Sequence, residues 1–347
     1  TKDLIGAYAI AVIAVDNKDE LICAKLGCPL IIGKGKSEYF IASDSCDLYV
    51  YTSDRQLKDI IYGNSATLKT ALEYNNIDYC TCTDINNEES LKSLITDSTL
   101  GIGLGEDWIF TQDTIGLFDG RLLDLMGVRL PQYRGGAHYT WQILRGNKIG
   151  ACNLQVVNSD TVQGVFDSGE IIKSKEYFFP ASARTPSDYF EHAVIEEVSF
   201  IKSFIDEVNS GFDFKFTTLQ EGFSQYYPRL NTIKNAFIDW SWSADNIDKF
   251  ICAFDDPYAG ASTFLDEERV FLKKCYSESN EGGFHPFQSG MIYKINNNAI
   301  FIATITGTIV VKEVLDLRGK NIMTSIRNGS RFYTPNKELE RSQYFFH

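Results

Sequence analysis

No stretch of the 347 residues approaches the roughly 20 consecutive apolar residues that a membrane-spanning helix needs. The opening residues show no basic-then-apolar leader pattern, so a cytoplasmic location is expected; a leader upstream of Thr1 would lie outside the sequence. The eight cysteines (Cys23, Cys28, Cys46, Cys80, Cys82, Cys152, Cys252 and Cys275) include no CxxC pair and no Cys/His cluster with structural-zinc spacing. They are expected to be reduced and mostly buried, and no metal is expected. Cys80-Thr-Cys82 fits a strand with both thiols on one face better than a metal or redox pair. Lys and Arg form no long run, and a net charge of -13 repels a polyanion, which argues against nucleic acid as a partner. The acid sits mainly upstream, since 14 Lys+Arg face 14 Asp+Glu from Tyr226 onward, so a local basic face there stays open. Histidine is scarce: His138, His192, His285 and His347 are the whole set, and none precedes position 138. There is no internal repeat or low-complexity tract.

With 44% hydrophobic and 13% aromatic residues, the chain can bury a sizeable core, and its length fits two domains. Gly6 to Val15, Leu21 to Ala24, Pro29 to Gly33 and Tyr39 to Ala42 read as short strands separated by Gly and charged turns. After Asp44 the pattern alternates. Asp47 to Thr52 is a predicted strand, Ser65 to Glu73 a helix capped by the serine, Ile77 to Cys82 a strand, Glu88 to Ile95 a helix and Leu100 to Leu104 a strand. This rhythm predicts an α/β fold, with a parallel sheet covered by helices and ligands at the carboxyl ends of its strands. Gly101-Ile-Gly-Leu-Gly105 lacks the full spacing of a dinucleotide loop and reads as a strand end where backbone approaches a ligand or a neighbour.

Farther on, Tyr189 to Val208 is a predicted helix carrying Val194, Val198, Ile201 and Ile205 at helical spacing, a connector between domains. A short helix near Ala244 to Phe254 precedes strands at Arg269 to Lys273, Met291 to Ile295, Ala299 to Ile305 and Thr308 to Val314. Such strands suggest a small barrel. The expected segments are a β-rich piece over 1–45, an α/β domain over 46–208 and a barrel domain over 209–347.

The stretch richest in chemistry runs from Trp108 to Gly146. It holds a strand ending Leu122-Leu-Asp-Leu-Met126, the loop Leu130-Pro-Gln-Tyr-Arg-Gly135, and a helix start at His138. With Asp167-Ser-Gly-Glu-Ile171, Tyr227-Pro-Arg-Leu230, Ile238-Asp-Trp-Ser241 and Pro257-Tyr-Ala-Gly-Ala261, these motifs resemble, in order, the folate-dependent formyltransferases, including methionyl-tRNA and nucleotide-sugar formyltransferases. The resemblance covers about Asp47 to Val314 and implies a Rossmann-like domain followed by a small OB-like β-barrel. The family's usual first strand and helix are missing; Gly6 to Val15 stands where the strand would be. About Leu4 to Asp44 resemble instead the tail of the glutaminase domain of glucosamine-fructose-6-phosphate aminotransferase, through GAYAIAVI, CAKLGCPLIIGKG and EYFIASD. The N-terminal cysteine nucleophile of that family is absent, so a scaffold is expected there, and a glutamine-dependent amidotransferase component is the weaker alternative.

The formyltransferase resemblance implies 10-formyltetrahydrofolate as cosubstrate, no metal, and an Asn-x-His catalytic pair supported by an Asp. Counting back from Pro131 puts Asp124 at the Asn and Met126 at the His, with Asp167 at the Asp. In the family His relays a proton, Asn donates to the oxyanion and Asp orients the His. Met126 has no titratable proton, and an ionised Asp124 repels an oxyanion; each lost role is worth about 10²-fold to 10³-fold. Three compensations are open: Asp124 protonated beside Asp167, His138 leaning in as a replacement base, or a shifted alignment. No slip recovers a histidine upstream of 138. Leu104, Trp108, Ile109, Leu130, Pro131, Arg134 and Gly135 correspond to the folate-binding positions, although Trp108 and Ile109 read equally well as core. The expected function is transfer of a formyl group to the amino group of a nucleotide-linked sugar, weak or lost at this pair. The alternatives are an inactive folate-binding or interaction protein of the same fold and a methionyl-tRNA formyltransferase.

Overall fold

In the computed structural model, residues 8–14, 17–26, 31–34 and 39–42 are described as strands, and residues 48–58, 67–105, 108–158, 167–279, 282–296 and 298–345 are described in full. The chain divides into two compact units, Thr1–Thr83 and Asp84–His347. In the first, β1 (Tyr8–Ala14) pairs antiparallel with β2 (Asn17–Leu26), and β3 (Ile31–Lys34) with β4 (Tyr39–Ala42). Beyond them β5 (Tyr49–Thr52), α1 (Leu68–Tyr74) and β6 (Asp78–Thr81) form a parallel strand–helix–strand unit. Ser65 lies outside the described residues; the helix is capped by Thr67, whose hydroxyl accepts from the Thr70 amide at 3.3 Å. Cys80 sits in β6, and the Cys82 amide continues the ladder by donating to Thr52 O at 3.1 Å.

The second unit begins with α2 (Glu89–Leu94), β7 (Gly101–Gly103), α3 (Gln112–Phe118) and β8 (Leu122–Met126), and β7 and β8 pair in parallel. After β9 (Arg134–Gly135) and α4 (His138–Leu144), β10 (Ile149–Val156) and β11 (Ile171–Phe178) return as a hairpin. The sheet order is β11-β10-β8-β7, with β10 antiparallel to both neighbours. The parallel pairing expected from the alternation is thus present in β5–β6 and β7–β8, where a helix connects the strands, and the sheet turns antiparallel at β10.

Helix α5 (Pro186–Asn209) is set by a capping box between Thr185 and Asp188, with Pro186 at its first position. It buries Tyr189, Ala193, Phe200 and Phe204, a stripe spaced by multiples of the helical turn. Val198 and Ile205, expected on the apolar stripe, face outward at 49% and 38% exposure, because the aromatic stripe lies to one side of them. Each buried ring contributes about 1.5–3 kcal/mol relative to an exposed one.

The chain then runs through β12 (Tyr226–Tyr227), α6 (Thr232–Asn235) and α7 (Ala244–Ala253). An antiparallel sheet follows, built from β13 (Ala261–Leu265), β14 (Glu268–Glu278), β15 (Ile292–Asn296), β16 (Ala299–Thr304) and β17 (Gly307–Leu315), and α8 (Asn336–Ser342) ends the described part. The sheet order is β13-β14-β17-β16-β15. Its edges do not pair with each other; isolated bridges from Tyr333 to Phe264 and from Arg331 to Met291 tie one short segment to both edges. The expected barrel is therefore not closed by strand pairing among the described residues. One core runs from Leu123 and Leu154 through Ile247 and Ile251 to Ile302 and Phe332, so the expected boundary at 208 falls inside the second unit. No helix among the described residues is long and apolar enough to cross a membrane.

Candidate active site

Strand β8 ends in Asp124, Leu125 and Met126, and its two neighbours fix their register. Gly103 of β7 lies beside Asp124, and β10 places Gln155 opposite Asp124 and Asn153 opposite Met126. Directly opposed residues share a sheet face. Asn153 is buried and spent on structure: its amide donates to Val128 O, and its oxygen accepts from Ser174 Oγ at 2.7 Å. Gln155, also buried, donates from Nε2 to Gly169 O at 3.0 Å. That bond fastens the 167–169 turn to the end of β10. A side chain at Gly169 would press its Cβ to 1.9 Å from Val156 O, so only glycine permits this approach.

These strands and turns enclose a cleft of about 300 Å³ lined by Trp108, Ile109, Asp124, Met126, Asp167 and Arg229, among others. Five of the predicted site residues meet there. The wall carrying Trp108 and Ile109 is pinned from outside the cleft by Asn86, whose Nδ2 donates to Ile109 O at 3.0 Å and whose oxygen accepts from the Thr111 amide at 2.8 Å and Thr114 Oγ1 at 2.9 Å. Ile109 is 58% exposed, so it forms a wall of the cleft and not core. Leu104 is exposed and is not among the residues lining this cleft.

Asp167 sits in left-handed backbone and accepts from the Gly135 amide at 3.2 Å. Burial pushes its carboxyl above the usual carboxylate range, against the opposing pull of that amide, of His138 and of Arg134. His138 opens α4, where Nε2 is buried with no hydrogen-bond partner. Burial lowers its pKa, which Asp167 and a backbone hydrogen bond with Gly135 only partly offset. The two side chains therefore sense each other's charge without bonding, and His138 does not line the cleft. The direct His–Asp contact on which a replacement base would depend is absent.

The loop after β8 serves mainly as a support. Leu130-Pro131 is a cis bond, and the Pro131 carbonyl accepts from the Gln225 amide at 3.2 Å. Arg134 directs Nη1 and Nη2 to the two carboxylate oxygens of Glu221, both at 2.7 Å, so its charge is committed away from the cleft. Gly135, at φ 102°, lets β12 lie parallel to β9; a Cβ would sit 2.2 Å from Tyr227 O. Tyr133 stacks on Tyr227 at 5.1 Å, and Trp141 Nε1 donates to Pro228 O at 2.9 Å. These contacts deliver Arg229 to the cleft wall. Sequence reasoning placed Tyr227 to Leu230 in a companion motif but missed Arg229, Gln155 and Asn86 as parts of the site. For Gln155 there was a local signal, because Asn153 and Gln155 alternate as polar residues in an otherwise apolar strand.

Residues 232–330 match the formyl transferase C-terminal domain. Over 255 residues the chain is 24% identical to methionyl-tRNA formyltransferase from Clostridium novyi, covering 72% of this chain and 77% of that protein. A 47-residue stretch is 55% identical to glutamine–fructose-6-phosphate aminotransferase from Neisseria meningitidis, which is 14% of this chain but only 8% of that enzyme. Among solved structures, the N-formyltransferase from Helicobacter canadensis, in complex with folinic acid and dTDP-3-aminofucose, superposes with a TM-score of 0.56 at 15% identity, covering 76% of this chain and 88% of that one. The fold is that of the formyltransferases, as the motifs predicted, and the resemblance to the aminotransferase tail is a minor, partial one.

Proposed function

We propose that the cleft binds 10-formyltetrahydrofolate beside the amino group of a nucleotide-linked sugar and transfers the formyl group between them slowly. The observation that carries this reading is the convergence of Trp108, Ile109, Asp124, Met126 and Asp167 in one cleft. The wall formed by Trp108 and Ile109 suits a flat heterocycle, and the cosubstrate supplies the formyl group. The structural neighbour complexed with a folate and a dTDP-amino sugar supports the small-molecule acceptor, as does the acidic chain; the methionyl-tRNA formyltransferase relative makes tRNA the alternative acceptor.

The residues present divide the work unequally. Asp167, whose carboxyl burial holds above the usual carboxylate range, is the group suited to hold or move a proton. Met126 stands where a relay belongs and contributes only apolar contact. Arg229 can attract an anionic part of either ligand. Because His138 does not bond to Asp167, it does not take over the missing relay, which favours the second reading, a folate-binding protein with no turnover. The test supplies formyltetrahydrofolate with a panel of nucleotide-linked amino sugars and with methionyl-tRNA. Turnover by the unaltered protein that disappears in Asp167→Ala supports transfer. Turnover only in the Asp124→Asn/Met126→His variant supports the binding protein, and failure of both to bind the folate overturns both readings.

A further inference from the structure

A second cavity, of about 530 Å³, opens beside α5's first turn, and its lining includes Arg184, Cys252 and Cys275. Asp248 and Cys252 lie four residues apart on one face of α7, and Cys275 of β14 faces them. The three ligand atoms lie within 4.8 Å of one another. Sγ of Cys252 and Sγ of Cys275 are 3.9 Å apart, and Asp248 Oδ1 is 3.2 Å from the Cys275 sulfur and 4.0 Å from the Cys252 sulfur. A tetrahedral Zn²⁺ with bonds of about 2.3 Å to sulfur and about 2.0 Å to oxygen sets its ligand atoms about 3.8 Å (S to S) and about 3.5 Å (S to O) apart. The triangle already has those edges to within about half an ångström. Asp188, Glu191, Asp255 and Asp256 add carboxylates to the walls, against the cations Arg184 and Lys274.

We propose that Asp248, Cys252 and Cys275 form a binding site for a thiophilic divalent ion of the Zn²⁺ class, with the fourth position open to the cavity. Two thiolates and one carboxylate select a borderline-soft ion over Mg²⁺ or Ca²⁺, which prefer all-oxygen sites. The thiols release their protons as the ion binds, so affinity rises with pH. Arg184 is the competitor: its Nη2 lies 2.6 Å from Asp248 Oδ1 and 3.2 Å from the Cys252 sulfur, on the ligands the ion needs. Its side chain is 38% exposed, so it can swing into solvent when the ion enters. The site would tie α7 to β14, away from the cleft.

The probe is Co²⁺, followed by Zn²⁺ displacement, on the full chain after reduction and chelation. One equivalent of Co²⁺ with a thiolate charge-transfer band and tetrahedral visible bands is expected. The signal should persist in Cys80→Ser/Cys82→Ser and weaken about 100-fold in affinity in Cys252→Ser. Arg184→Gln should tighten binding about tenfold by removing the competing charge. Because Cys252 and Cys275 are buried and their variants could misfold, the unaltered protein gives a second readout: Zn²⁺ should protect these two thiols, mapped by mass spectrometry, from alkylation. No saturable binding overturns the site. So do binding that survives in Cys252→Ser with unchanged affinity, unchanged alkylation of Cys252 and Cys275, and a signal abolished in the Cys80/Cys82 variant.

Discussion

In the C-terminal half of the second unit Ile247, Ile251, Ile292, Ile300, Ile302 and Val311 are wholly buried, whereas Asp124, Met126 and Asp167 in the cleft are only half-buried. A change in the first set opens a cavity or strands a polar group, so sequence pattern and fold stay locked together. In the cleft Asp124 and Met126 keep part of their surface open, so a change of side chain there disturbs packing less than one in the buried set. Chemistry can thus change over an unchanged scaffold. Residues 232–330, which match the formyl transferase C-terminal domain, include that buried set, whereas Asp124, Met126 and Asp167 lie outside the match.

The largest expected effect sharpens that contrast from the side of the cleft. Asp124→Asn with Met126→His should raise formyl transfer by about 10²-fold to 10⁴-fold, measured as turnover with the best acceptor, while the thermal midpoint stays close to that of the parent. A rise in stability without a rise in rate would break the comparison. On the packed side, Phe332→Ala removes a ring that is 1% exposed and stacked on Trp240 at 5.8 Å. It should cost about 3–5 kcal/mol in denaturant unfolding. Next comes the loop: Arg134→Ala breaks the two bonds to Glu221, which is itself exposed, so a loss of only about 1 kcal/mol is expected. A loss as large as that of the core variant would place Arg134 with the packed scaffold.

The smallest effect concerns pH. Because burial raises the Asp167 carboxyl above its unfolded value, the folded chain holds that proton longer, and stability falls as pH rises from the ordinary carboxylate range through the raised value. Asp167→Asn should match the parent below about pH 4 and be slightly more stable at pH 7. Thermal melts at both pH values decide the sign. A less stable variant at pH 7 would mean that the bond from Gly135 and the charges of His138 and Arg134 outweigh burial.

Most elements were legible in the sequence because their signals are local. Strand β16 at Ala299–Thr304 and helix α7 at Ala244–Ala253 nearly coincide with the predicted bounds, since apolar runs and their period are written in adjacent residues. Strand β10, by contrast, carries Asn153 and Gln155 within its apolar run and was not anticipated. The face of α5 was misjudged for a related reason: several apolar stripes fit its period, and only neighbouring elements choose among them.

By itself, then, the sequence determined the strand–helix alternation up to Leu104, the formyltransferase motifs and the absence of a histidine upstream of His138. Tertiary structure alone decided that Arg134 spends its charge on Glu221, that Arg229 enters the cleft, that His138 stays apart from Asp167, and that Cys275 comes to face Asp248 and Cys252. Each of those outcomes joins positions tens of residues apart. Their distances are set by how the sheets and helices pack, which no local spacing encodes.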